Sequence, residues 1–264
     1  MKKQNKISLL LVLTLISFIL LLFINPVAQS TGFHHFADDR RLFHLANFMN
    51  VVSNLLFLVV GISGLRYTWQ TVLPGDLRFL YSTLFAGILL TGIGSGYYHL
   101  HPGNATLVFD RIPMTIVFMS FLCLTIVELI SRKAGIILLA PLVLMGICSV
   151  LYWHYTETAG HGDLRWYGWV QFYPMIAIPL IIYLFPSPSS AKTLQILGWV
   201  IAWYVLAKIL ERFDQQIFLY TSLVSGHTLK HLAAGMATWY IYRYVRRKEV
   251  PLKAGISANP NNVV

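Results

Sequence analysis

The residues that could do chemistry in this chain are few and set in apolar surroundings. Ser95 and His99 stand four apart at the end of one apolar run, TGIGSGYYHL; Asp110 opens the next, in FDRIPMT; His227 and His231 stand four apart at the start of the last, in SGHTLKH. Residues four apart share one face of a helix. Two imidazoles on one helix and a third on another suit zinc, whose catalytic sites commonly use three protein ligands and leave a position for water. The ion brings the pKa of that water to about 7 and polarises a carbonyl. Asp110 is then a candidate general base and acid, or a partner that orients a histidine. Its place in the first turn of a helix favours the carboxylate form. Ser95 is placed to donate to an oxyanion, and Gly92, Gly94 and Gly96 would let helices or a substrate approach closely. The plainer alternative is that Ser95 and the histidines hydrogen-bond between helices. The H-x3-H pair lacks the glutamate of HExxH, so a zinc-protease motif is absent.

These residues need rigid elements to hold them, and the composition says which kind. Of 264 residues, 56% are hydrophobic and 11% charged, against about 25% charged in soluble domains. Eight apolar stretches approach the roughly 20 residues of a membrane-spanning helix: 7–28, 47–69, 78–99, 110–130, 134–153, 168–185, 193–210 and 223–244. The expected fold is an all-α polytopic membrane bundle, a seven-helix core with an additional N-terminal hydrophobic helix. Residues 1–30 form that signal-anchor or signal-peptide-like segment, 31–248 the membrane domain, and 249–264 a disordered tail. A net charge of +10 does not indicate nucleic acid, because the basic residues are scattered between apolar runs. With the N-terminus inside, 13 of the 20 lysines and arginines fall on the inner side, as the positive-inside rule asks. Segment three then ends, and segments four and eight begin, near the outer face. Helix counting thus gathers all five residues at one depth.

Smaller features read plainly. Cys123 and Cys148 lie in apolar segments as buried small hydrophobes. His34, His35, His44, His101, His154 and His161 read as solvated or interfacial groups. Lys230 snorkels to the interface. Trp166, Trp169, Trp199 and Trp203 include aromatic-belt candidates. Asn50, Ser53 and Asn54, at helical spacing, join helices or border the site.

At the five residues the sequence resembles the alkaline ceramidase family, part of a superfamily of seven-helix membrane zinc hydrolases that includes adiponectin-receptor-like proteins. The stretches that carry the resemblance are NFMNVVSNLLFLVVGISGL at 47–65, TGIGSGYYHLHPGNATLVFDRIPMT at 91–115 and SGHTLKH at 225–231. The family pattern is S-x3-H, an Asp eleven residues later, and a late H-x3-H. It implies one catalytic Zn2+ held by His99, His227 and His231, with Asp110 activating water and Ser95 steadying the oxyanion. The implied reaction is hydrolysis of ceramide or a related N-acyl lipid within the bilayer, releasing a fatty acid and an amine. Eukaryotic members carry an acidic calcium site before the first shared helix. Here FADDRRLFHLANFMN offers only Asp38 and Asp39, with Asn47 where an acid is expected, which speaks against Ca2+. Two other readings stand beside the hydrolase: a receptor or sensor with structural zinc, and an intramembrane serine protease using Ser95. A transporter would be favoured by paired repeats, and none is evident. Oligomeric state is not legible.

Overall fold

The structure is a computed structural model that describes residues 1–186 and 191–254, with the side chains of 191–193 and 248–254 left aside. The chain runs through α1 (Lys3–Leu20), α2 (Phe48–Val52), α3 (Leu55–Gln70), α4 (Gly75–Leu100), α5 (Asn104–Leu129), α6 (Arg132–Thr158), α7 (Arg165–Leu184), α8 (Ala191–Arg212), α9 (Asp214–Thr221) and α10 (Gly226–Ala254). Among the described residues, seven helical stretches of 19 to 27 residues are long and apolar enough to cross a membrane, counting α2 and α3 as one. The last helix, α10, is 29 residues long and packs along α8 and against α3. The all-α polytopic bundle is therefore as expected. α10 runs to Ala254, into the segment expected to be a tail; residues 255–264 lie outside the described residues.

Helices α3, α4, α5, α7, α8 and α10 all contribute side chains to one interior cavity. α6 packs on α5 and α7 and contributes none. α1 lies against α7 and buries no residue of its own, as a helix facing lipid should. A long core from Val60, Leu84 and Phe85 to Ile178 and Val245 fills one end of the bundle. A smaller cluster of Tyr98, Leu107, Val150, Trp153 and Tyr167 fills the other. Cys123 is buried as expected, but Cys148 is exposed, because it sits on the peripheral α6. Between α6 and α7, Asp163 pairs with Arg165 at 2.7 Å, and this guanidinium holds the carboxyl below the usual carboxylate range. Arg165 also donates to the Ile24 carbonyl at 2.6 Å, which ties the end of the first segment to α7.

With no hydrophobic drive between helices in lipid, small residues decide how closely helices approach. At Gly94 an added Cβ would stand 1.9 Å from the Phe109 carbonyl oxygen of α5, and at Gly92 2.6 Å from Leu58 of α3. Both glycines are contact points, as their spacing suggested. Gly96 is not, since nothing lies within 4 Å of its would-be Cβ. Gly94→Ala should therefore push α4 off α5 at a cost of at least about 1–3 kcal/mol, seen as a lower unfolding midpoint in detergent. Gly96→Ala should be neutral or stabilising by up to about 1 kcal/mol, since alanine is the better helix former.

Candidate metal centre

Three helix ends build the site. His99 is the penultimate residue of α4. Its carbonyl, one of the groups a helix leaves without an internal partner, accepts the side-chain amide of Asn47 at 2.8 Å. Asn47 itself has a left-handed backbone, φ 49°, which Asn tolerates better than most residues. His227 and His231 occupy the first two turns of α10, whose start is capped twice. The Ser225 hydroxyl accepts the Thr228 amide at 3.1 Å, and the Asp214 carboxylate accepts the His227 amide at 2.6 Å. Asp214 also accepts the Ala37 amide at 3.1 Å, pinning the segment before α2 over the site. From that segment the Phe36 ring lies 4.6 Å from the His99 ring and 4.8 Å from that of His227.

The three imidazoles are buried and converge. His99 Nε2 lies 3.3 Å from His231 Nε2 and 3.3 Å from His227 Nε2, and one ligand atom from each residue falls within 4.8 Å of the other two. Their tautomers decide what this cluster is for. The Ser53 hydroxyl donates its single hydrogen to the Asn50 carbonyl at 3.0 Å. With that hydrogen on Asn50, the Ser53 oxygen, 2.8 Å from His231 Nδ1, accepts from Nδ1–H. The Asn54 amide at 3.5 Å from the same nitrogen is too far to compete. His231 Nε2 is thereby left as a bare lone pair aimed at His99 and His227. A hydrogen on His99 Nε2 could serve only one of its two neighbours, whereas a metal cation in its place would satisfy all three nitrogens at once. The cluster could hold a metal ion.

Ser53 also lies at an interruption in the span expected over 47–69, which the structure retains as Phe48–Gln70. The helix breaks between Val52 and Leu55, and the break presents Asn50 and Ser53 to the site. Asn50 links three elements, donating to the Asp38 carbonyl at 3.1 Å and accepting the Thr228 hydroxyl at 2.9 Å. The Asp38 carboxylate, for its part, accepts from Nε and Nη2 of Arg40, each at 2.7 Å, so an internal cation already meets one of the two acids that precede α2.

Ser95, Asp110 and His231 line one cavity of about 200 Å³ with otherwise largely apolar walls. Within it, the Ser95 hydroxyl neighbours the Asp110 carboxyl. All five residues singled out in the sequence thus lie around one centre. Asp110 sits in the second turn of α5, not the first, because that helix begins at Asn104. The macrodipole weakens beyond the first turn, so the helix start matters less to Asp110 than its spacing suggested. A second cavity, about 330 Å³, borders His227 and is lined by His35, Glu211, Arg212, Asp214 and Gln215.

Two sequence readings need correction. Lys230 does not snorkel away. It pairs with Glu211 of α8 at 2.7 Å and lines the first cavity. His34 is not merely solvated, since its ring bridges Tyr98 at 2.9 Å and Asn104 at 2.8 Å. Glu211 and Arg111 were passed over in the sequence. The available signal was their charge near apolar helices, which is costly in lipid and suggests a role.

A polytopic all-α membrane protein with a buried three-histidine centre beside an apolar cavity is the class that fold and site define. The family model for ceramidase matches residues 42–253, and the chain belongs to the ceramidase family. No curated protein and no solved structure gives a match.

Ser53→Ala should weaken binding of a divalent metal by about 10- to 100-fold, the usual effect of losing the group that orients a ligand histidine. Competition with a chelating dye measures this, and Ser53→Thr, which keeps the hydroxyl, should restore most of the affinity.

Proposed function

We propose that this chain is a zinc-dependent amide hydrolase acting on ceramide or a related N-acyl lipid, releasing a fatty acid and an amine. The observation that carries the reading is the convergence of three Nε2 atoms beside Ser95 and Asp110. Three nitrogens at about 2.0–2.1 Å from a tetrahedral zinc stand about 3.3 Å from one another, which is the spacing of His99 from both His227 and His231. When bound by these ligands, zinc supplies Lewis acidity and brings the pKa of its water to about 7.

The chain's own groups do the rest. Asp110 takes a proton from the attacking water and returns it to the nitrogen as the C–N bond breaks, so that one carboxylic acid and one amine leave. Ser95 donates to the carbonyl oxygen as charge builds there. Ile88, Val117, Phe121, Val200 and Ile241, on the cavity wall, bury the acyl chain and exclude bulk water. The polar cavity beside His227 offers water an entrance. By the positive-inside count this end of the bundle faces outward, and residues 31–248 form one catalytic membrane domain.

The receptor reading needs zinc closed off by a fourth protein ligand. Among the described residues the group comprises three, which favours catalysis. The serine-protease reading needs a histidine on Ser95, whose titratable neighbour is Asp110.

The test is elemental analysis of detergent-purified protein together with fatty-acid release from N-acyl lipids. One zinc per chain is expected in the wild type and none in His227→Ala. Asp110→Ala should keep the metal and lose about 10²–10⁴ in rate, and Ser95→Ala about 10²–10³. Release that survives chelation would favour the serine protease. Stoichiometric zinc with no release from any N-acyl lipid would favour the receptor.

A further inference from the structure

The polar end of the apolar-walled cavity carries more positive than negative charge from the chain itself. Arg111, Lys208 and Lys230 line it, against Asp110 and Glu211. Glu211 is shared by the two lysines, Lys208 one turn before it on α8 and Lys230 across from it on α10. Each ammonium has three donors and gives one to Glu211.

Arg111 is the more telling group. It is 5% exposed and permanently charged, yet it makes no ion pair among the described residues. Its guanidinium carbon lies 4.2 Å from the Trp153 ring centre and 4.5 Å from that of Tyr167. One nitrogen, Nη2, donates to the Gln29 side-chain oxygen at 2.6 Å. The other, Nη1, is buried with no hydrogen-bond partner. Asp110 is next in the chain but about 100° round the helix. A buried guanidinium set among aromatic rings, the Tyr167 hydroxyl and one amide, with a nitrogen still unpartnered, is costly, and the cost is recovered if a ligand brings an anion.

We infer that the cavity selects an N-acyl lipid whose amine portion bears an anionic substituent, a carboxylate or a phosphate, received by Arg111 with Lys208 and Lys230. This rests on the N-acyl hydrolase reading for what the lipid is, and the charge selection is tested by binding, apart from hydrolysis.

The experiment measures dissociation constants of purified full-length protein for matched amphiphiles with one lauroyl chain in neutral detergent. N-lauroylethanolamine is the neutral probe, N-lauroylglycine the carboxylate and N-lauroylphosphoethanolamine the phosphate; fatty-acid release from each is followed separately. At least one anionic probe should bind about tenfold or more tightly than the neutral one, as a charge-assisted hydrogen bond provides. The better of the two identifies the anion. In Arg111→Met and in Lys230→Met the ratio should fall toward one, while Lys230→Arg should keep it. High salt should reduce the ratio less than it reduces binding to the exposed surface. Equal or weaker binding of both anionic probes, or a ratio unmoved in both methionine variants, overturns the inference. Charge-selective binding without release from any probe supports the anion site and counts against the hydrolase instead.

Discussion

Much of this bundle's polar structure converges on three imidazoles held nitrogen to nitrogen and buried from water. Two nitrogens 3.3 Å from a third cannot both share one hydrogen with it, so the group needs fixing from outside. The chain fixes it from outside. Ser53 holds Nδ1 of His231, Asp214 and Ser225 anchor the helix that carries His227 and His231, and Asn47 secures the carbonyl of His99. None of these groups lines the apolar cavity that holds Ser95 and Asp110, yet each helps set where an Nε2 atom points.

That requirement reaches into the packing. α4 must deliver His99 and Ser95 next to α5, and Gly94 allows it by giving up the space that the Phe109 carbonyl takes. The interrupted α2–α3 segment sacrifices a regular turn in lipid, where unsatisfied backbone groups are expensive. In return its polar side chains become the scaffold of the site, and the freed carbonyl of Asn50 accepts from both Ser53 and Asn54. Local irregularity and site geometry are here one device.

How much of this the sequence disclosed follows from what a membrane constrains. A bilayer fixes the depth of every residue once the spans are counted. The meeting of Ser95, His99, Asp110, His227 and His231 near one face was therefore legible from order and spacing alone. Rotation about each helix axis is fixed by packing instead. Lys230, placed by spacing off the face of His231, still lines the cavity, because α8 approaches from that side and supplies Glu211. The contact of Ser53 with His231, 178 residues apart in the chain, depends on a helix break that neither Gly nor Pro announces.

The same distinction explains why the family pattern leaves specificity open. Three histidines, a serine and an aspartate define a centre at a given depth whose histidines could hold a metal ion. They say nothing about the groups reaching that centre from other helices at other rotations. Arg111 and the Lys208–Glu211–Lys230 cluster are such groups, and they come from α5, α8 and α10. A charge placed on a neighbouring helix at the same depth changes what a cavity accepts without altering the five residues of the pattern. Substrate choice, on the reading proposed above, would then be set by residues that share the depth of the three histidines but not their motif.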